Sequence, residues 1–205
     1  MSRVPEPPPS PWQGLVGQPV AHIETPALVV DLDAMGRNLT RMSRFAQNHG
    51  IRWRAHAKMH KSSALAKLQL EAGAVGVCVQ KTSEAIAMAA GGVSDILISN
   101  QVIDAPKLRR VAYLARLLSE RQGRLGLVVD SLPGIERLAL ACAEAEARVD
   151  VYVEIDVGQG RCGVAPGAPA CALAQAVARH APTLRFAGLQ AYHGRAQHLR
   201  SVAER

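Results

Sequence analysis

The stretch that decides the fold is GLVVDSLPGIERLALACAEAEARVDVYVEI, residues 126–155. Gly126-Leu-Val-Val-Asp130 is a short, continuous apolar run. Ser131 follows at once, a residue type whose hydroxyl accepts from the first free amides of a helix. Ile135, Leu138 and Cys142 then recur at helical spacing, and Val149–Val157 resumes a strand-type run. Strand, cap, helix and strand in that order make a βα unit, and repeated units of this kind build a parallel sheet.

The same pattern extends in both directions. Upstream, Asp95-Ile-Leu-Ile-Ser99 leads to an N-cap at Asp104, Pro106 in the first turn, and apolar residues at Leu108, Val111, Leu114 and Leu118. Val75–Gln80 precedes an Ala-rich helix that ends at Gly91. Strand-like Ile51–Lys58 precedes a helix over 64–72 closed by Gly73. Ala27-Leu-Val-Val-Asp31 is a further β-type run, before a helix carrying Met35, Leu39, Met42 and Phe45 and stopped by Gly50. Downstream, another Ala-rich helix separates Val149–Val157 from Leu184–Tyr192.

Residues 1–24 are Pro- and Gly-rich and read as an irregular lead-in; residues 25–205 carry the βα units. The strands are short and apolar throughout, as in a sheet covered on both faces. Periodicity fits an open doubly wound sheet and a barrel equally. Either way, chemistry is expected at the carboxyl ends of the strands: 56–60, Gln80, 100–101, Asp130, 156–163 and 190–194.

Composition excludes several classes. Hydrophobic residues are 48% of the 205, enough for a substantial core and too many for a disordered chain. No apolar run approaches the roughly 20 residues that span a bilayer, and the opening residues lack the apolar segment of a secretory signal, so a cytoplasmic protein is expected. Cys78, Cys142, Cys162 and Cys171 show no CxxC spacing and are expected to be reduced. The formal charge of +7 is dispersed among acidic residues, without a basic run, and aromatics are 3%; nucleic acid is not the expected partner.

Three clusters carry candidate chemistry. In Arg54-Ala-His-Ala-Lys-Met-His-Lys61, strand alternation places Arg54, His56 and Lys58 on one face. Cations crowded together favour a neutral amine able to attack an aldehyde; the plainer alternative is a solvent-facing basic loop. A zinc pair at His56 and His60 is disfavoured: four-residue spacing aligns two ligands only on a helix, and Ala57 stands where HExxH needs glutamate. Gly158-Gln-Gly-Arg-Cys-Gly163 is a literal GxGxxG, yet Pro166 and Pro169 delay the helix and the next strand ends in Ala191-Tyr-His193, without the acidic residue of a dinucleotide site. Its glycines instead suit a turn that aims Arg161 into a site. In Gly188-Leu-Gln-Ala-Tyr-His-Gly194, Tyr192 or His193 is placed either to lie over a flat ligand or to pack as a half-buried residue.

In order, Glu24–Asp33, Arg54–Lys61, Gly73–Cys78, Glu154–Gly163 and Phe186–Gly194 resemble the alanine racemase N-terminal-domain superfamily. The likeness is to its branch of D-threonine aldolases, D-serine dehydratases and 3-hydroxy-D-aspartate aldolases. That resemblance implies an α/β fold, a (β/α)8 TIM-type barrel of the alanine racemase kind, here incomplete with about six barrel strands and without the C-terminal β domain, which the Ala27–Asp31 strand would also join. It implies pyridoxal 5'-phosphate held by Lys58 as a Schiff base, Arg161 near the cofactor's phenolic oxygen and Tyr192 stacked on its ring, with Gln80 and His56 as further contacts. It also implies a divalent metal (Mg, Mn or Zn) whose ligands lie beyond Arg205, and a homodimer at full length. The implied activity is cleavage of a D-3-hydroxy amino acid. The ending Gln190–His198 is most similar to members acting on 3-hydroxyaspartate, which yield glycine and glyoxylate. A dehydratase or D-threonine aldolase of the same family, a non-catalytic carrier of the cofactor, and an inert fragment are the alternatives.

Overall fold

Asp104 and Ser131 do cap helices. Asp104 accepts from the Lys107 amide at 3.1 Å and Ser131 Oγ from the Gly134 amide at 3.3 Å, each satisfying one of the four free amides at a helix start. The computed structural model in which they lie describes residues 12–205. Its helices are α1 (Leu32–Asn48), α2 (Ser63–Glu71), α3 (Thr82–Ala90), α4 (Ala105–Glu120), α5 (Leu132–Glu144) and α6 (Ala168–Ala178). Its strands are β1 (Ala55–His56), β2 (Val77–Val79), β3 (Asp95–Ile98), β4 (Arg124–Val129), β5 (Val149–Ile155) and β6 (Leu184–Ala191).

The strands form one sheet in the order β1-β2-β3-β4-β5-β6, every neighbouring pair parallel. Each strand is followed by a helix up to β6, so the chain steps one strand at a time, as a barrel does. Among the described residues the sheet is not closed: β1 and β6 are its two edges.

Alternation gives the sheet two unlike faces. Val77, Val79, Ile96, Ile98, Leu125, Leu127, Val151 and Val153 are fully or almost fully buried in one apolar cluster with Leu108, Val111, Ile135 and Leu138 of α4 and α5. The apolar spacing read from those helices is therefore their core face. Cys142, in the same cluster, has its thiol pushed up to about 12 by burial. The other face carries the row His56, Cys78, Leu97, Gly126, Asp150 and Arg185, paired strand to strand. Its amino-terminal end is tied by ion pairs of Asp95 with Arg54 (2.7 Å) and Arg124 (2.5 Å), and of Asp150 with Arg185 (2.5 Å).

A bulge re-phases β6. Val151 pairs with Phe186, but Tyr152 pairs with Gly188, so Ala187 is the extra residue. Gly188 has a φ of +138°, a region that favours glycine. Arg185, then Gly188 and Gln190, consequently share one face.

Three expectations are corrected. Ala27–Asp31 is not a strand: Leu28 is fully exposed, Val29 and Val30 are exposed, and no described strand pairs with them. An apolar run becomes a strand only where a neighbour takes its backbone hydrogen bonds. Residues 51–58 form a strand only at Ala55–His56, because β1 has β2 on one side and no partner on the other. The apolar positions of α1 are also less buried than their spacing predicts: Met42 and Phe45 are exposed and Ala46 alone is buried. The described residues divide into two compact units with the boundary after Asn38, and the whole sheet belongs to the second.

Candidate functional site

The carboxyl ends of the strands gather the polar side chains. After β1 the chain turns tightly: the Ala57 amide donates to Cys78 O at 2.8 Å and the Lys61 amide to Ala57 O at 2.7 Å. Ala55 and Ala57 are buried while His56 is half-buried and Lys58 exposed, so alternation holds through the turn. Lys58 enters no ion pair or side-chain hydrogen bond among the described residues. His56 Nε2 lies 3.4 Å from Ser99 Oγ. Burial holds its pKa below the ordinary histidine value, the Lys58 cation adds to this, and hydrogen bonding to Gln80 opposes it. The backbone amide of half-buried Gln80 donates to Glu84 Oε2 at 2.9 Å.

The second group stands at the ends of β5 and β6. Glu154 is 4% exposed and its carboxylate accepts from Gln101 Nε2. Its other oxygen is 4.0 Å from Arg161 Nη2. The guanidinium carbon of Arg161 sits 4.6 Å above the centre of the Tyr192 ring, within cation–π range.

The glycine turn makes this placement possible. Asp156 Oδ1 accepts from the amides of Gly158 (2.9 Å) and Gly160 (3.0 Å), and Asp130 Oδ2 from that of Gly163 (3.2 Å). These amides, Gly160 first, hold the Asp156 carboxyl below the usual range. Val164 then returns to the end of β5, donating to Glu154 O at 3.0 Å and accepting from the Asp156 amide at 2.9 Å. A Cβ on Gly163 would lie 2.8 Å from the Asp156 nitrogen, and its φ is +97°, so no other residue fits there without displacement. The motif is a folded-back turn with Arg161 at its tip, and α6 begins only at Ala168.

The structure thus brings Arg161 and Tyr192 into contact, and places His56, Lys58 and Gln80 together at neighbouring strand ends. No hydrogen bond or ring contact joins the two groups, which stand toward opposite edges of the open sheet. Sequence reading placed Gln101 among the strand ends but gave neither it nor Glu154 a role. The signal was present: an acidic residue inside an otherwise apolar strand has to be paired when buried. Among the described residues no group of three or more His, Cys, Asp or Glu side chains is assembled to hold a metal ion, and no helix is long and apolar enough to cross a membrane.

This arrangement can be set beside known proteins. The family profile described as alanine racemase, N-terminal domain, matches residues 30–204. The chain belongs to the alanine racemase N-terminal-domain family. It is 45% identical over 189 residues to a D-threonine aldolase from Arthrobacter sp, with 92% of this chain and 48% of the relative covered. To a 3-hydroxy-D-aspartate aldolase from Paracoccus denitrificans (strain Pd 1222) it is 42% identical over 192 residues, covering 93% and 48%. A solved D-threonine aldolase from Filomicrobium marinum superposes with a TM-score of 0.83 at 48% identity, over 90% of this chain and 48% of that one. The chain spans about half the length of the curated relatives it matches. The six parallel strands are therefore the alanine racemase N-terminal fold in part, with the barrel open among the described residues.

Proposed function

We propose that this chain is the cofactor-holding part of a pyridoxal-phosphate-dependent lyase that cleaves D-3-hydroxy amino acids. The reading is carried by one observation: an exposed lysine amine, unpaired among the described residues, after the end of β1 in a sheet that also presents, after the end of β5, a guanidinium braced by a buried carboxylate. Family membership and the two aldolase relatives support it.

The residues present suit the group. An aldehyde needs a free amine, which Lys58 supplies. A phenolate-type oxygen needs charged donors, and Arg161, with a single 4.0 Å carboxylate contact, has N–H groups left to give. Tyr192 supplies an aromatic ring at the same end of the sheet. When bound, pyridoxal phosphate supplies an electron sink for the pair released as the Cα–Cβ bond breaks.

The chain's own groups do the rest. Lys58 would hold the cofactor's carbonyl and, as a free amine, would serve as a base at the carboxyl end of β1. His56, whose pKa is lowered by burial and by Lys58, accepts or donates a hydrogen bond there. Gln80 orients that imidazole. Glu154 and the glycine turn fix Arg161 so that its donors need no reorganisation when charge develops.

Within this class, 3-hydroxyaspartate is the proposed substrate, giving glycine and glyoxylate. Borohydride treatment of the protein with pyridoxal phosphate, followed by peptide mapping, is expected to label Lys58. The protein incubated with D-3-hydroxyaspartate and with D-threonine is expected to release glyoxylate faster than acetaldehyde. Label at another lysine refutes the site. Oxaloacetate as product points to the dehydratase chemistry instead.

A further inference from the structure

The turn that carries Lys58 is anchored almost everywhere except at Lys58. Ala57 is bonded to β2 through Cys78 O. The Ser62 hydroxyl accepts from the Leu65 amide at 3.3 Å and so caps α2, while the Ser62 amide donates to His60 Nδ1 at 3.1 Å. His60 in turn is bonded to Gln69 of α2 at 3.2 Å. Lys61, with the left-handed φ of +52° rare for a residue with a side chain, sends its ammonium to Glu84 Oε1 of α3. Lys58 and Met59, both exposed, are left at the tip.

Glu84 is the unusual member. It is 8% exposed, and its second oxygen accepts from the amides of Gln80 (2.9 Å) and Lys81 (3.2 Å). The bond from Lys81 is half of a capping box at the start of α3; lysine has no oxygen with which to return it. For that backbone role a glutamine would serve as well, since capping boxes use either residue. The negative charge is what pairs with Lys61, which lies at the far end of the Lys58 turn.

We propose that Glu84 is a positioning residue whose ion pair with Lys61 locks the Lys58 turn onto α3, and that this lock determines how tightly Lys58 holds its carbonyl ligand. It rests on the reading of Lys58 given above. The pair ties together the loops after β1 and β2, the two that carry Lys58 and Gln80. With the lock in place, the amine is presented from a turn whose backbone has little freedom left to lose on binding. Without it, the turn keeps its tethers at Ala57, His60 and Ser62 but loses its ion pair with α3.

Glu84→Gln keeps the backbone acceptor and removes the charge, and Lys61→Met removes the partner without touching α3. In the full chain, each variant is expected to raise the dissociation constant of pyridoxal phosphate about tenfold. The double variant should be no worse than either single one, because both remove the same interaction. Amide hydrogen exchange over residues 57–62 should accelerate in each variant without added ligand, while exchange over α3 stays as in the unmodified protein. Borohydride labelling runs alongside: label away from Lys58 in the unmodified protein overturns the underlying reading. Label at Lys58 with unchanged affinity and unchanged exchange in the variants overturns the lock alone. Additive losses in the double variant, or acceleration across α3, mean a general loss of structure and also overturn it.

Discussion

The guanidinium of Arg161 lies over the ring of Tyr192, 4.6 Å from its centre. One residue comes from a glycine turn after β5 and the other from the end of β6, so the contact ties two adjacent strand ends together. Both are partly exposed, where such a contact contributes about 0.5–1 kcal/mol.

That contact predicts a graded response at position 192. Tyr192→Phe keeps the ring face and should bind pyridoxal phosphate as the unmodified protein does, within about twofold. Tyr192→Leu removes the face, frees Arg161, and should weaken binding by about three- to tenfold. Titration of the three proteins with the cofactor, followed by absorbance, checks the order. Equal weakening by Phe and Leu would mean that the hydroxyl, not the ring, matters.

Asp156 predicts an acid sensitivity in the turn. Its carboxyl is held below the usual range by the Gly160 and Gly158 amides. A group whose pKa is lower when folded contributes stability that is present above its unfolded value and lost as pH falls through the folded one. The turn should therefore loosen as pH drops from about 5 to about 2. Asp156→Asn retains an oxygen that accepts from the same amides but does not titrate, so its melting temperature should be flatter across that range. Parallel melting curves at stepped pH test the difference.

His56 gives a second window, at higher pH. Burial and the Lys58 cation lower its pKa in the folded chain. Between the folded and the ordinary value the unfolded chain binds the proton and the folded one does not, so stability rises with pH there. It should fall as pH goes from about 7 to about 5, and His56→Gln should remove this part of the slope. A slope unaltered by the substitution would assign the effect to another group.

The parts of this molecule that were legible in the sequence are those set by local chemistry. Ser131 and Asp104 cap helices because a side-chain oxygen beside a free amide needs no distant partner. Ile135, Leu138 and Val111 are buried because their spacing follows the helical turn. Ala27–Asp31 has the composition of a strand and failed as one because pairing is a property of neighbours. The face reached by Tyr192 was not readable either. Alternation from Arg185 would have placed the two on opposite faces, and the bulge at Ala187 reverses that by one residue. Glu154 was overlooked since its partners, Gln101 and Arg161, are far from it in sequence or beyond a turn whose shape depends on three glycines.

Glu154 gives the last prediction. Its carboxylate is 4% exposed, accepts from Gln101 Nε2 and faces Arg161 at 4.0 Å. Removing it leaves the Gln101 amide without its acceptor in a poorly hydrated place, and Arg161 without the charge that aims it. The cost of an unsatisfied buried group is about 1–3 kcal/mol, so Glu154→Leu should lower the urea midpoint by a corresponding amount. Glu154→Gln separates the two roles. Its oxygen still accepts from Gln101, so the midpoint should fall by less than for leucine, yet it carries no charge for Arg161. Cofactor affinity should therefore drop in both variants to a similar extent. If Glu154→Gln binds the cofactor as tightly as the unmodified protein does, then Arg161 is aimed by the glycine turn and Tyr192 alone, and the buried carboxylate serves only to satisfy Gln101.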